Sequence, residues 1–400
     1  MRKQFKRYFA AAVGLFFILA IYFRDSWYNS SGDRAIAQMR LSMKQPPPTD
    51  PNTTARANAA LISLVRNSEL NGIISSMRYM ENSFNSKFNY PWVFFNDVPF
   101  TQEFMDKTQA ETNAPCTYEL IPKEHWDVPD WIDQTRMEKA FKEMANNGVM
   151  HATQLSYHKM CRWYSGFFFR HPALDKYKYY WRVEPNVKYF CDIDYDVFQF
   201  MAQNNKTYGF TINIYDDPKS IPTLWPATTA FVEEHPNYAL SPDENSYYWL
   251  TDSVLRPDHT KAANGYSTCH FWSNFEIGDL DFWRSQTYLD YFDYLDQTGN
   301  FFYERWGDAP VHSVALGLFA ANEQIHWFRD IGYQHSVFSN CPNSDKCHGC
   351  QANKLTPLTY WLNGEDCRVN WFKQVCESSR NKGPVNEEMC GLHGYGWSGR

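Results

Sequence analysis

The stretch Tyr177 to Asn186, YKYYWRVEPN, constrains this chain more than any other. Tyr177, Tyr179, Trp181 and Val183 alternate with Lys178, Tyr180, Arg182 and Glu184, and period two in aromatic and β-branched residues predicts a half-buried strand. Pro185 removes a backbone donor and ends it. A carboxylate, Glu184, therefore stands at the carboxyl end of a strand, where open α/β sheets bind their ligands. An acid at that place can hold a hard divalent cation, and the cation a diphosphate. This suits chemistry on a nucleotide-sugar. The plainer alternative is an acid paired with Arg182 or simply solvated.

Four hundred residues allow two average domains or one large α/β domain. Aromatic residues make up 18% of the chain, enough for a large core and for sugar-stacking faces besides. A formal net charge of -7 gives no reason to expect a nucleic-acid partner. Arg2, Lys3, Lys6 and Arg7 precede an uncharged run from Tyr8 to Phe23, closed by Arg24 and Asp25. That run is short for a span but sufficient for a thin bilayer. Basic residues before it place the N-terminus in the cytosol and the remainder in the lumen. Bulky Ile21, Tyr22 and Phe23 offer no small-residue cleavage site, which favours an uncleaved signal anchor over a removed signal peptide.

All ten cysteines lie beyond this run, and an even number in a lumenal region predicts disulfides. The cluster Cys341, Cys347, Cys350, Cys367 and Cys376 imitates a zinc site but lacks a second CxxC pair. Sequons at Asn29, Asn52 and Asn205 fit lumenal exposure. The predicted organisation is a cytosolic tail (1–7), a transmembrane helix (8–23), a polar, Pro-rich, loosely packed stem (24–57) and a catalytic domain (58–400). Within that domain the patterning predicts strands at 60–65, 90–95, 118–121, 177–184 and 208–214. It predicts helices at 70–88, from Thr101, at 135–146, 157–169, 196–204 and 310–322, the last with Asp308 at or near its N-cap. Strand, helix, strand, helix begins a parallel sheet with right-handed crossovers.

Two acidic patches compete for a metal. One is Glu184-Pro185-Asn186. The other, Asp192 to Asp196, contains two Asp-x-Asp spacings but falls where a helix should start, and acids favour that dipole end. The residue types leave the choice open.

The segments Ser156–Phe168, Tyr179–Pro185, Cys191–Asp196, Arg66–Leu70, Tyr90–Asp97, His270–Ile277 and Phe301–Ser313 together resemble the fungal Golgi α-1,2-mannosyltransferases of glycosyltransferase family 15. The resemblance runs in order over roughly residues 59 to 376. It implies a GT-A-type (Rossmann-like) α/β catalytic domain with a mixed, mostly parallel central sheet behind an N-terminal transmembrane helix. It also implies a single-pass type II protein of the Golgi membrane with a lumenal catalytic domain. The expected partners are GDP-mannose and a mannosylated glycan or glycoprotein acceptor, with manganese (Mn2+) as cofactor. Mannose would be added with retention of configuration to O-linked or N-linked glycans.

Position by position, the resemblance assigns the metal to Glu184 and His335. It names Glu276, Tyr157 and Asp308 as catalytic, and Arg66, Arg182 and Asn186 as substrate-binding. Glu276 would act at the anomeric carbon, as nucleophile or by stabilising oxocarbenium character; the plain alternative is a turn-capping acid. Tyr157 would hold donor phosphate or acceptor hydroxyl, Asp308 acceptor hydroxyls, and Arg66 base or phosphate. Where the family pattern has Asp after Glu-Pro, this chain has Asn186, which keeps an oxygen ligand and loses a charge. That departure is the one feature supporting an alternative, a catalytically weakened, membrane-anchored mannose-binding protein; the resemblance also implies another, a mannosylphosphate transferase, because the family includes that type of function. A glycoside hydrolase using Glu276 and a second carboxylate is a further rival, which metal dependence would exclude.

Overall fold

The computed structural model describes residues 45–356 and 360–376. The cytosolic tail, the 8–23 span, most of the stem and the last 24 residues of the expected domain lie outside the described residues. Among the described residues, no helix is long and apolar enough to cross a membrane.

Among the described residues, twelve strands form in chain order: β1 (Ala59–Leu64), β2 (Trp92–Asn96), β3 (Cys116–Leu120), β4 (Tyr179–Val183), β5 (Lys188–Tyr189), β6 (Tyr208–Phe210), β7 (Asn213–Tyr215), β8 (Cys269–Phe271), β9 (Phe275–Asp279), β10 (Ile325–Trp327), β11 (Tyr333–His335) and β12 (Phe338–Asn340). Seven make the central sheet, in the order β10-β6-β9-β4-β1-β2-β3. β4, β1, β2 and β3 run parallel, as do β10 and β6, while β9 lies antiparallel between β6 and β4. The α/β architecture with a mixed, mostly parallel sheet is as the sequence predicts.

Both faces of this sheet are covered. Ala60 and Ile62 of β1 enter one apolar cluster and Ala59 and Leu61 the other. Tyr180 likewise joins the first cluster and Trp181 the second. β4 was expected to be half-buried, but all five of its residues are buried. In a parallel sheet sandwiched by helices the alternation marks two cores rather than core and solvent. The helix Leu70–Met80 covers one face with Ile73, Met77 and Met80, at helical spacing. The helix Gln134–Asn146 starts where the Asp133 carboxylate accepts the Arg136 amide, and it buries Met137, Phe141 and Met144 toward the other face.

Four elements depart from the expected pattern. The 208–214 strand divides: β6 stays in the central sheet, while β7 pairs with β8 in a separate two-stranded ribbon. The 70–88 helix passes into a wider π turn at Glu81–Asn85, where the Glu81 carboxylate holds the Asn85 amide and the Trp92 indole. The last long helix runs Asp308–Phe319 with Gly307, not Asp308, at its N-cap. The stem residues 45–57 are irregular, with a turn after Asp50, yet do not stand free. Thr49 exchanges hydrogen bonds with Asp194 and Asp196, and the Gln45 amide reaches the Asp192 carbonyl.

Three disulfides are described: Cys191–Cys347, Cys269–Cys367 and Cys341–Cys350. They consume four of the five cysteines that imitated a zinc site. Cys116 and Cys161 remain free thiols, against the expectation that every cysteine pairs.

Candidate active site

The carboxyl ends of β1, β2 and β4 converge on one cleft, as the strand-end argument requires. It has two lobes, with cavity volumes of about 210 Å³ and 440 Å³, and Glu184, Tyr157 and Met160 belong to both. The smaller lobe holds Arg66 and Glu69 after β1, Asn96 and Asp97 at the end of β2, and Gln154. Arg66 therefore stands where the sequence placed it. The Asn96 side-chain oxygen accepts its neighbour's amide, while its Nδ2 is buried without a partner. An unpaired donor beside the Asp97 carboxylate fits a ligand with an acceptor and donors on adjacent atoms.

The larger lobe is lined by Arg182, Asp308, His335, Trp272, Arg305 and Asp216, among others. Its floor is organised by Arg182. The guanidinium lies 3.3 Å above the Tyr164 ring centroid. Nε donates to Glu184 Oε1 at 2.6 Å and Nη1 to Asp308 Oδ2 at 2.6 Å. Nη1 also lies 3.8 Å from Glu276 Oε1. One cation thus holds three carboxylates, and their field raises its own affinity for the proton against the cost of burial. Burial lifts Glu184 above the ordinary carboxylate value, with Arg182 opposing it. Burial opposes the charge of Asp308 too, but Arg182, His312 and the Ser273 hydroxyl hold it below the usual range. Asp308 is the first residue of its helix and spends its carboxylate on Arg182 and Ser273, so the capping role falls away.

Glu276 lies directly across β4–β9 from Arg182 and is 0% exposed. Tyr208 donates to its Oε2 at 3.1 Å, and His312 Nδ1 is 3.1 Å from the same oxygen. Its Oε1 has no hydrogen-bond partner. The structure therefore places Glu276 beneath the cleft floor rather than in its lining. The turn-cap alternative falls, because the carboxylate points into the sheet. Tyr157 does line the cleft. Its ring stacks on His151 at 4.3 Å and lies under Arg305, and burial pushes its phenol up.

His335 ends β11 and faces the large lobe, with its ring edge-on to Trp272. Burial, assisted by Arg182, pushes its pKa down to about 4, so the ring is neutral near pH 7. Its Nδ1 is buried without a hydrogen-bond partner. A carboxylate and a neutral imidazole around one cavity form a donor set suited to a divalent metal of intermediate softness. Asn186 is not brought into the cleft lining. It sits in the left-handed region (φ 62°), its amide on the Gly72 carbonyl. The Asp-x-Asp patch is elsewhere: Asp192 pairs with Lys87, Asp194 with Lys346, and Asp196 caps the helix Val197–Gln203.

Asn96, Asp97, Trp272 and Arg305 lie in segments that carry the family resemblance but were given no role in the site, and Asp216 lies in none of them. Asn96 and Asp97 follow a strand and were findable by the argument that found Glu184. Asp216 and Arg305, joined at 3.0 Å, are 89 residues apart, and no local pattern announces that they pair.

A two-lobed cleft at parallel strand ends, with a carboxylate where the lobes meet and an imidazole in the wall of the larger lobe, fits an α/β enzyme of the nucleotide-dependent transferase class. Residues 26–375 match the model of the family described as glycolipid 2-alpha-mannosyltransferase, glycosyltransferase family 15. The chain belongs to this family and is a glycosyltransferase. It is 48% identical over 325 residues to the probable mannosyltransferase KTR4 of Saccharomyces cerevisiae, covering 80% of this chain and 69% of that one. It is 49% identical over 290 residues to the alpha-1,2 mannosyltransferase KTR1 of the same yeast, covering 72% and 71%. Among solved structures it is similar to core-mannan synthase A (CmsA/Ktr4) of Aspergillus fumigatus in its Mn/GDP form. That similarity has a TM-score of 0.81 and 56% identity over 84% of this chain and 93% of that one.

Proposed function

We infer that this chain transfers mannose from GDP-mannose to a mannosyl acceptor, forming an α-1,2 linkage with retention, with manganese at Glu184 and His335. The observation that carries the reading is the meeting of the two lobes at Glu184, within a cleft that His335 enters with an unpartnered buried nitrogen. The small lobe suits guanine: the Asp97 carboxylate can accept the N1–H and N2–H donors, and the Asn96 amide can donate to O6. Arg66 is placed for the diphosphate or the base. When bound, the cation neutralises charge on the departing diphosphate.

In the large lobe, Asp308 and Tyr157 border the space for donor sugar and acceptor. With Glu184 given to the cation, Asp308 and Glu276 remain as two carboxylates against one guanidinium, which leaves negative charge beside the place where positive charge builds on the anomeric carbon. With Arg182 interposed, Glu276 acts through that field, which supports stabilisation of oxocarbenium character over direct attack. Asp216 and Arg305 offer an acceptor and donors for sugar hydroxyls. The acceptors are glycans of glycoproteins, O-linked or N-linked. By the basic cluster and apolar run at the N-terminus, the enzyme works as a GT-A-type, single-pass type II protein of the Golgi membrane.

The test is product analysis. Purified enzyme with GDP-mannose, Mn2+ and methyl α-mannoside should yield an α-1,2-linked disaccharide whose anomeric configuration NMR shows to be retained. An acid-labile phosphodiester product would instead establish mannosylphosphate transfer. Binding of the mannoside without any turnover of donor would leave only a lectin.

A further inference from the structure

Glu184 is followed at once by a turn that is fastened to the helix Leu70–Met80, which covers one face of the central sheet. Asn186 donates its amide to the Gly72 carbonyl at 3.0 Å. Val187, the next residue, donates its amide to Ser76 Oγ at 3.0 Å. Ser76 is fully buried and donates that same hydroxyl to the Gly72 carbonyl at 3.1 Å. Two consecutive amides of the turn are thus tied to one face of the helix Leu70–Met80.

The fit is close. A Cβ built on Gly72 would meet Asn186 Nδ2 at 2.7 Å, Oδ1 at 3.0 Å and Cγ at 3.1 Å. Asn186 itself has φ 62°, a left-handed conformation that Asn and Gly adopt at little cost and β-branched residues do not. Beyond the turn the chain enters β5, whose Lys188 and Tyr189 pair with Gln334 and Tyr333 of β11. His335 is the next residue of β11. A short run, 184 to 189, therefore connects both proposed metal ligands to the helix.

We propose that Gly72, Ser76 and Asn186 are positioning residues that set Glu184, and through β5 and β11 also His335, at the spacing the cation needs. This deepens the metal-dependent reading above and rests on it. It also reassigns Asn186. The side chain is a turn residue fitted against Gly72, and its lack of charge costs the cation nothing. Residues that orient metal ligands without touching the metal typically control affinity by about ten- to a hundredfold.

The experiment is a rescue. Gly72→Val should raise the Mn2+ concentration needed for half-maximal GDP binding by about tenfold or more. Gly72→Val combined with Asn186→Gly should recover most of that loss, since glycine at 186 removes the obstructing side chain and keeps the left-handed turn. Hydrogen exchange of the 185–190 peptide in metal-free protein should accelerate in the single variant and return in the double. Asn186→Asp, same in shape, should leave Mn2+ dependence within about threefold, below the range expected for a displaced ligand. If Gly72→Val does not fold, Ser76→Ala supplies the perturbation, by stranding the Val187 amide, and exchange of the same peptide supplies the readout. Unchanged exchange and unchanged Mn2+ dependence in folded variants would overturn the proposal. So would a tenfold gain in metal affinity from Asn186→Asp, which would make that position a ligand. Failure of the wild-type protein to bind GDP with Mn2+ would sink the functional reading alone, while the exchange experiment would still decide whether the turn is set by the helix.

Discussion

Replacing Arg182 by Met would leave Glu184, Asp308 and Glu276 gathered round a neutral side chain in a buried floor. Removing one partner of a buried ion pair costs about 3–5 kcal/mol, because the other charge stays desolvated. Arg182→Met should therefore lower the unfolding free energy read from denaturant titration by that amount, and Arg182→Lys should recover only part of it, lacking the fork that reaches Glu184 and Asp308 together. A variant as stable as wild type would mean the carboxylates are not held as described. Asp97→Ala should weaken GDP by about tenfold while barely affecting UDP, since the lost acceptor serves guanine donors; calorimetry with both nucleotides decides it. For Glu276→Gln, turnover should fall by about a hundredfold with GDP affinity unchanged, because its field acts on charge that exists only in the transition state. Equal losses in both would make it a donor-binding or structural residue. The sequence made Glu184 legible because a strand and its proline are local. It could not show that Glu276 lies under the floor, since that follows from the β4–β9 register.

Elements whose residues carry their own pattern were readable. β1, β2 and β4 and the helix Gln134–Asn146 fall within a few residues of expectation, because periodicity and an N-cap are encoded locally. The 208–215 segment was not, because β6 and β7 share one alternating pattern and part only when β7 meets β8. Asp308 looked like a cap beside a helix start, and only Arg182, 126 residues away, reveals its other use. The Asp192–Asp196 patch shows the same limit from the opposite side: its spacing imitates a metal motif, yet each acid has a partner outside the cleft. Asp192→Ala with Asp194→Ala should accordingly leave metal-dependent GDP binding within about twofold, since exposed ion pairs contribute little. Loss of that binding would move the metal to the second patch.

The buried imidazoles should cost the whole molecule stability as acid is added, a loss that raised carboxylates such as Glu184 offset in part. Burial lowers His158 and His270 below the ordinary imidazole value, and His335 from 6.5 to about 4. Above 6.5 these groups are neutral in both folded and unfolded chains and exact no penalty. Between 6.5 and about 4 the unfolded chain takes up protons that the folded one refuses, so stability falls with pH across that window. The thermal midpoint should drop by several degrees from pH 7 to pH 5, and a flat or rising midpoint would contradict the assignment of neutral buried imidazoles. The central claim joins Glu184, His335 and the nucleotide lobe into one metal-dependent donor site, and calorimetric titration of GDP with and without Mn2+ tests it most directly. The account predicts GDP binding with Mn2+, at least tenfold weaker binding without it, and loss of that metal dependence in Glu184→Ala. GDP binding that ignores Mn2+, or metal dependence that survives Glu184→Ala, would contradict it.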